Sequence, residues 1–268
     1  MRIFALCKHS FAITSAGLAV LGLVYAHSVW HSLPAWLPWR AAWVYGSSLI
    51  VLAASAGLFF ARTALPGALT IGVYQAISAV IFLPLVLTHP LSVGAWYPVC
   101  EALTALAGAW ILYALLQGQS PGSAPPIAGT GAVRTAQVLF GLTCVFYGWS
   151  HFVYPAYTAL LVPAWLPAHL AFAYFTGLCH IAAGLAIIVR LLPRPAATLE
   201  AVMMALFGLL VWVPTFFAQP TPKWATPPEH QWGELVVNFV LAASAWIVAI
   251  SFEDRSRVRA GGLVASRS

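Results

Sequence analysis

Eight stretches of about twenty residues, almost free of charge, take up most of this chain: Phe11–Trp30, Ala41–Ala61, Gly67–Thr88, Tyr97–Leu116, Ala136–Tyr154, Ala168–Val189, Ala197–Phe217 and Gly233–Phe252. As a helix rising about 1.5 Å per residue, each is long enough for the ~30 Å hydrocarbon layer of a bilayer. Inside that layer backbone N–H and C=O groups must be satisfied within the segment, which a helix does and a lone strand does not. Composition points the same way, with 62% of the 268 residues hydrophobic and only 7% charged. A soluble domain carries roughly a quarter charged residues. The expected fold is an all-α integral membrane protein with eight transmembrane helices. Arg2 and Lys8 before the first run also fit a cleaved leader, but no small-x-small site follows in "GLVYAHSVWHS", so this segment is expected to be retained.

The cations set the orientation. With the N-terminus in the cytoplasm, Arg2, Lys8, Arg62, Arg134, Arg190, Arg194, Arg255, Arg257, Arg259 and Arg267 lie inside, and only Arg40 and Lys223 outside. An even number of crossings then returns the C-terminus to the cytoplasm. The expected location is the inner (cytoplasmic) membrane. The net charge of +6 is explained by topology and the lipid surface. No basic stripe interleaved with aromatics is present, so nucleic acid is not an expected partner.

The pentapeptide PAWLP at Pro34–Pro38 recurs at Pro163–Pro167, 129 residues later. The match extends beyond the motif: Tyr45 pairs with Tyr174, Ser47 with Thr176 and Ala54 with Ala183. "FLPLVLTHP" at Phe82–Pro90 pairs with "WVPTFFAQP" at Trp212–Pro220 at a spacing of 130, and Trp96 and Ala109-Trp110 pair with Trp232 and Ala245-Trp246 at 136. Four helices per copy make the repeat parallel, with a pseudo-twofold axis along the membrane normal. The expected organisation is a first four-helix repeat at 1–117, a Gly/Pro/Ser-rich cytoplasmic linker at 118–134, a second repeat at 135–255 and a basic disordered tail at 256–268. PAWLP itself reads as a folded cap before the second helix of each copy, with its Trp in the headgroup layer.

The second copy, with "GWSHFVYP", "VPAWLP" and "FAYFTGLCHIAAGLAIIVRLLPRPAA" in succession, resembles the DoxX-like four-helix membrane proteins. The resemblance covers about 100 residues of that copy well and the first copy more loosely. Some members are associated with oxidoreductase assemblies, including thiosulfate oxidation that passes electrons to quinone. The resemblance therefore implies partners among redox-complex subunits and a quinone as a ligand. The family often carries Glu after the "TG" pair of the second helix, where this chain has His180.

Duplication separates residues kept in both copies from those found in one. Gly177, His180 and Gly184 share a helical face, and the matching positions are Ser48, Val51 and Ser55. The small residues recur and the histidine does not. Counting from the inner helix ends puts His180, Gln75 and Cys144 near the middle of the bilayer, where an ionisable group is costly. Two readings stand: a neutral imidazole satisfied by Thr176 or Gln75, or a ligand, quinone or proton site built from His180, Thr176, Gln75 and Cys144. Glu101, replaced by Val237 in the other copy, is a further candidate ligand-binding residue, and Glu234 near the start of the last helix is a second acid of the outer half. Glu200 is expected at the inner interface. His27 and His31, four apart, have a metal-ligand spacing but no acidic or cysteine neighbour, and no metal site is expected. Cys7, Cys100, Cys144 and Cys179 form no CxxC, and no nucleotide-loop, HExxH or nucleophile-elbow pattern occurs.

The function expected is a membrane subunit or accessory of a redox system that binds a quinone or similar apolar ligand. The alternative is a non-catalytic binding or transport protein for a lipid-like or small solute.

Overall fold

A computed structural model describes residues 2–119, 125–217 and 227–252, and every described element is helical. The order is α1 (Arg2–Val24), α2 (Ala26–Ser32), α3 (Arg40–Gly57), α4 (Ala64–Thr88), α5 (Val93–Gln117), a 3-10 turn (Pro126–Ala128), α6 (Thr130–Val153), α7 (Pro155–Leu161), α8 (His169–Val189), α9 (Pro193–Phe207), a π-helical turn (Gly208–Trp212), α10 (Val213–Thr215) and α11 (Pro228–Ser251). Lys223, Trp224, Pro220, the arginines at 255, 257, 259 and 267, and the tail 256–268 lie outside the described residues, as does part of the linker.

Among the described residues, seven helices are long and apolar enough to cross a membrane: α1, α4, α5, α6, α8, the continuous rod Pro193–Thr215 and α11. Leucines, valines and phenylalanines on their outer faces, among them Leu69, Val73, Phe175, Leu199 and Leu206, are exposed. Apolar surface of that extent belongs in lipid. The protein is a multi-pass membrane protein. The second apolar run folds as α3, eighteen residues that open on Arg40, and is not among the seven. At about 27 Å it is a little short of the hydrocarbon thickness.

Boundaries differ from the apolar runs where polar residues still fit a helix. The first helix starts at Arg2 and carries Lys8 and His9, then breaks at Tyr25 (φ −105°, ψ 31°) so that the rest of the run becomes the short α2. The counterpart break at Tyr154 precedes Pro155, which has no N–H to continue the ladder. Residues 130–134, expected in the linker, form the first turn of α6. Before them, the Trp110 indole N–H donates to the Ile127 carbonyl at 2.7 Å and holds the 3-10 turn against α5.

Several features recur at the PAWLP spacing of 129: the ends of α1 and α6, the short helices α2 and α7, and the starts of α3 and α8. Trp39 and Ala168, the residues before α3 and α8, both take left-handed backbone (φ 49° and 52°). Neighbour relations repeat too. In the first half α1 packs on α3, α3 on α4 and α4 on α5, while in the second α6 packs on α8, α8 on α9 and α9 on α11. The halves meet through α5 on α6, α1 on α11 and α5 on α11. The core between them is alanine-rich, with Ala105, Ala109, Ala243 and Ala245 buried among Ile111, Leu112 and Ile247. Small side chains let helices approach closely where no hydrophobic drive separates protein from lipid.

Helices α6 and α8 approach each other closely. Gly141 faces Gly184, and Gly148 faces Gly177. A Cβ on any of the four would come within 3.0 Å of the facing carbonyl oxygen. Arg134 adds a fastening at the other end, its guanidinium donating to the Ile187 carbonyl at 3.2 Å and to that of Ile188. These are last-turn carbonyls of α8 that no helical N–H satisfies, and a cation suits that end of the helix dipole.

Candidate functional site

The turn between α8 and α9 is three residues long, with Arg190 and Leu192 in left-handed backbone (φ 62° and 48°). It folds the two helices into an antiparallel hairpin. Positions about equally far from its middle therefore come roughly level, and His180 stands eleven residues before Leu191 and Glu200 nine after it. His180 Nδ1 lies 2.7 Å from Glu200 Oε1, with the side chains 1% and 2% exposed. This corrects the expectation that Glu200 sits at the interface. Counted from Pro193 it is about 10 Å into its helix, and a buried partner across the hairpin takes the place of water.

The pair is enclosed by aromatic rings. His151 meets His180 edge-on at 5.4 Å between centroids, Phe207 at 5.8 Å, and Tyr147 is tilted at 6.1 Å. Cys144 is buried beside the Glu200 carboxyl and feels its charge. Its thiol lies near that carboxyl, whose Oε2 is buried with no partner at hydrogen-bond distance among the described residues. Such an atom calls for an explanation, because buried polar atoms are nearly always paired.

Thr176 does not satisfy His180. Its hydroxyl bonds to the Phe172 and Ala173 carbonyls at 2.9 and 3.1 Å and to His151 Nδ1 at 3.0 Å, and His151 Nδ1 also reaches the Ala173 carbonyl at 3.0 Å. Thr176 thus joins the site through His151. Gln75 is buried on α4, whose neighbours are α3 and α5, and neither partners His180 nor lines the cavity described next. Glu101 on α5 lies close enough to Glu234 on α11 for their charges to interact, and Tyr147 lies within reach of the Glu101 charge. Tyr147 OH bonds to Thr104 Oγ1 at 3.0 Å, and Thr104 donates to Thr143 at 2.8 Å. A band of hydroxyls thus separates the two acidic positions.

Alongside the pair runs a cavity of about 840 Å³ between α8 and the α9–α10 rod. Its walls are apolar, and the polar groups on them include His151, Thr176 and Glu200. Phe175, Leu199, Leu206 and Leu210 border it and are exposed on the lipid-facing surface, so it is a groove open to the bilayer. The π turn contributes Leu210, Val211 and Trp212 to the wall. Such turns are often found at functional sites. Pro214 follows the π turn, whereas its counterpart Pro84 lies in an unbroken α4.

The sequence pointed to His180 and Cys144, which the structure places beside Glu200, while Glu200 and His151 were not among the candidates. The signal for Glu200 was its distance from the turn, similar to that of His180. No cluster of three or more His, Cys, Asp or Glu suited to a metal ion occurs among the described residues. No family model, curated protein or solved structure matches this chain.

Proposed function

We propose that this protein is a tandem fusion of two DoxX-like four-helix units in the cytoplasmic membrane, with both termini inside. It serves there as a membrane subunit or accessory of a redox system and binds a quinone or similar apolar ligand. The recurrence of helix ends, left-handed caps and neighbour relations supports the duplication. On that reading α3 is the eighth crossing, as the counterpart of α8. Soluble or membrane partners supply the redox centre, because no cofactor motif occurs in the sequence.

One observation carries the ligand reading: an apolar groove open to lipid, with Glu200 on its wall, His180 buried behind it as its partner, and an unmatched carboxyl oxygen on that pair. Ligand sites of this size are mostly apolar with a few polar groups that fix orientation. An ionisable pair held in a membrane interior marks function more often than stability. The first half has Val51 where the second has His180, so the site belongs to the second copy.

The test is mass spectrometry of organic extracts from gently purified protein and from a His180→Val/Glu200→Gln variant, which leaves no lone buried charge. Near-stoichiometric quinone in the parent and its loss from a folded variant is the expected result. An extract containing only phospholipid or another solute, unchanged in the variant, would move the reading to lipid or solute binding.

A further inference from the structure

We infer that the groove selects the hydroxyl-bearing, reduced form of its ligand, a quinol-type head group, over the carbonyl-bearing oxidised form. This rests on the proposed binding of a quinone-type ligand in the groove.

The argument is a count of hydrogens on the polar groups of the wall. Thr176 has one hydroxyl hydrogen, committed to the Phe172 and Ala173 carbonyls. Towards a ligand it offers lone pairs only. His151 Nδ1 lies 3.0 Å from the Ala173 carbonyl, an atom that can only accept. The ring hydrogen is therefore on Nδ1, shared with Thr176 Oγ1 at 3.0 Å. A buried imidazole with no carboxylate bonded to it stays neutral in apolar surroundings, which leaves Nε2 a bare acceptor.

Glu200 gives the same result whichever partner holds the proton. The 2.7 Å contact between His180 Nδ1 and Glu200 Oε1 requires one hydrogen between them. With that hydrogen on nitrogen, Oε2 is half of a carboxylate. With it on Oε1, Oε2 is the carbonyl oxygen of a neutral acid. Both forms present lone pairs at Oε2, the buried oxygen left without a partner.

Three polar groups on the wall thus present acceptors. The hydroxyl of Thr158, also on the wall, is turned to the Tyr154 carbonyl. The Asn238 amide spends one of its two N–H bonds on the Glu234 carbonyl, so that with the Trp212 indole N–H the wall offers at most two strong side-chain donors against its three acceptors. A quinone, with carbonyl oxygens and no O–H, leaves these acceptors unmatched. A quinol donates to them, and a small turn of the Glu200 side chain, which lines the groove, brings Oε2, the one carboxyl oxygen that the fold leaves unpaired, to its hydroxyl. Leaving a buried acceptor unmade costs more than an average bond gains, so the difference falls on the oxidised form.

The experiment compares three probes on purified protein in lipid nanodiscs under anaerobic conditions: a decyl-substituted benzoquinol, the corresponding quinone, and the dimethyl ether of the quinol, which has the same shape and no O–H. The quinol is expected to bind about tenfold or more tighter than either of the others. In Glu200→Gln, whose amide adds a donor, the preference shrinks or reverses. Thr176→Val, a milder change that leaves the His180–Glu200 pair in place, lowers quinol affinity and spares the ether. Equal or tighter binding of the quinone, or an ether that matches the quinol, overturns the inference while the groove remains a quinone-type site. If none of the three binds, the functional reading itself fails and this inference falls with it.

Discussion

Gly108 of α5 stands directly against Ser244 of α11: a Cβ on Gly108 would fall 2.8 Å from the Ser244 Cβ and 2.9 Å from its Cα. The two residues are 136 positions apart, the spacing that also relates Ala109-Trp110 to Ala245-Trp246. On the proposed duplication, the same place in each copy packs against itself, as residues on a twofold axis do. Gly108→Ala is expected to destabilise the fold by about 1–3 kcal/mol through overpacking, and Ser244→Gly in the same chain to recover most of the loss. Thermal unfolding in detergent measures both. Gly72→Ala is the control, because its nearest neighbour, the Ala109 Cβ, would sit at an ordinary 3.6 Å.

The α6–α8 seam should be equally intolerant. Gly148→Ala or Gly184→Ala puts a methyl into a facing carbonyl, whereas Gly46 and Gly131 have open space around the added atom. Loss of monodisperse protein on size exclusion is expected for the first two alone. Equal behaviour of all four would mean that the helices are further apart than described.

His180 and Glu200 are expected to be strongly coupled. Replacing either one alone strands a polar group in the interior at a cost of about 3–5 kcal/mol. The double change His180→Leu/Glu200→Leu removes both and should cost less than the sum of the single changes. A double-mutant cycle on unfolding midpoints reads the coupling. Additive effects would show that the two side chains do not interact.

Cys179 lies on the groove wall and is half-buried, whereas Cys7, Cys100 and Cys144 are buried. A lipophilic maleimide is expected to modify Cys179 first, and a quinone-type ligand to protect it. Intact-mass and peptide analysis identify the position. Modification that the ligand leaves unaffected would place the ligand elsewhere.

How much of this was visible in the sequence depended on whether the relevant physics is local. The apolar runs predict helices, and seven proved long and apolar enough to cross a membrane. The break at Tyr25 was hidden because Ala26 carries no stop signal, unlike Pro155 in the second copy. His180 stood out by its absence from the first half, but Glu200 was misplaced by counting depth from one helix end alone, when its partner lay across a hairpin. Grouping Gln75 with His180 failed for the same reason. Depth is legible from sequence, but which helices are neighbours is not.

Whether α3 crosses the membrane decides the side on which everything after it lies. In a cysteine-free background, Trp39→Cys at one end of α3 and Arg62→Cys beyond the other are both exposed positions. An impermeant maleimide added to intact cells is expected to label the first and not the second. Labelling of both would show that α3 does not cross.

The opening of the groove between α8 and α9 onto exposed Phe175, Leu199 and Leu210 also changes what concentration means for this protein. A ligand arriving through that opening never has to dissolve in water, so occupancy follows its mole fraction in the membrane. Affinities measured against total aqueous concentration would shift with the amount of lipid in the assay, and a very insoluble compound would reach the site as readily as a soluble one.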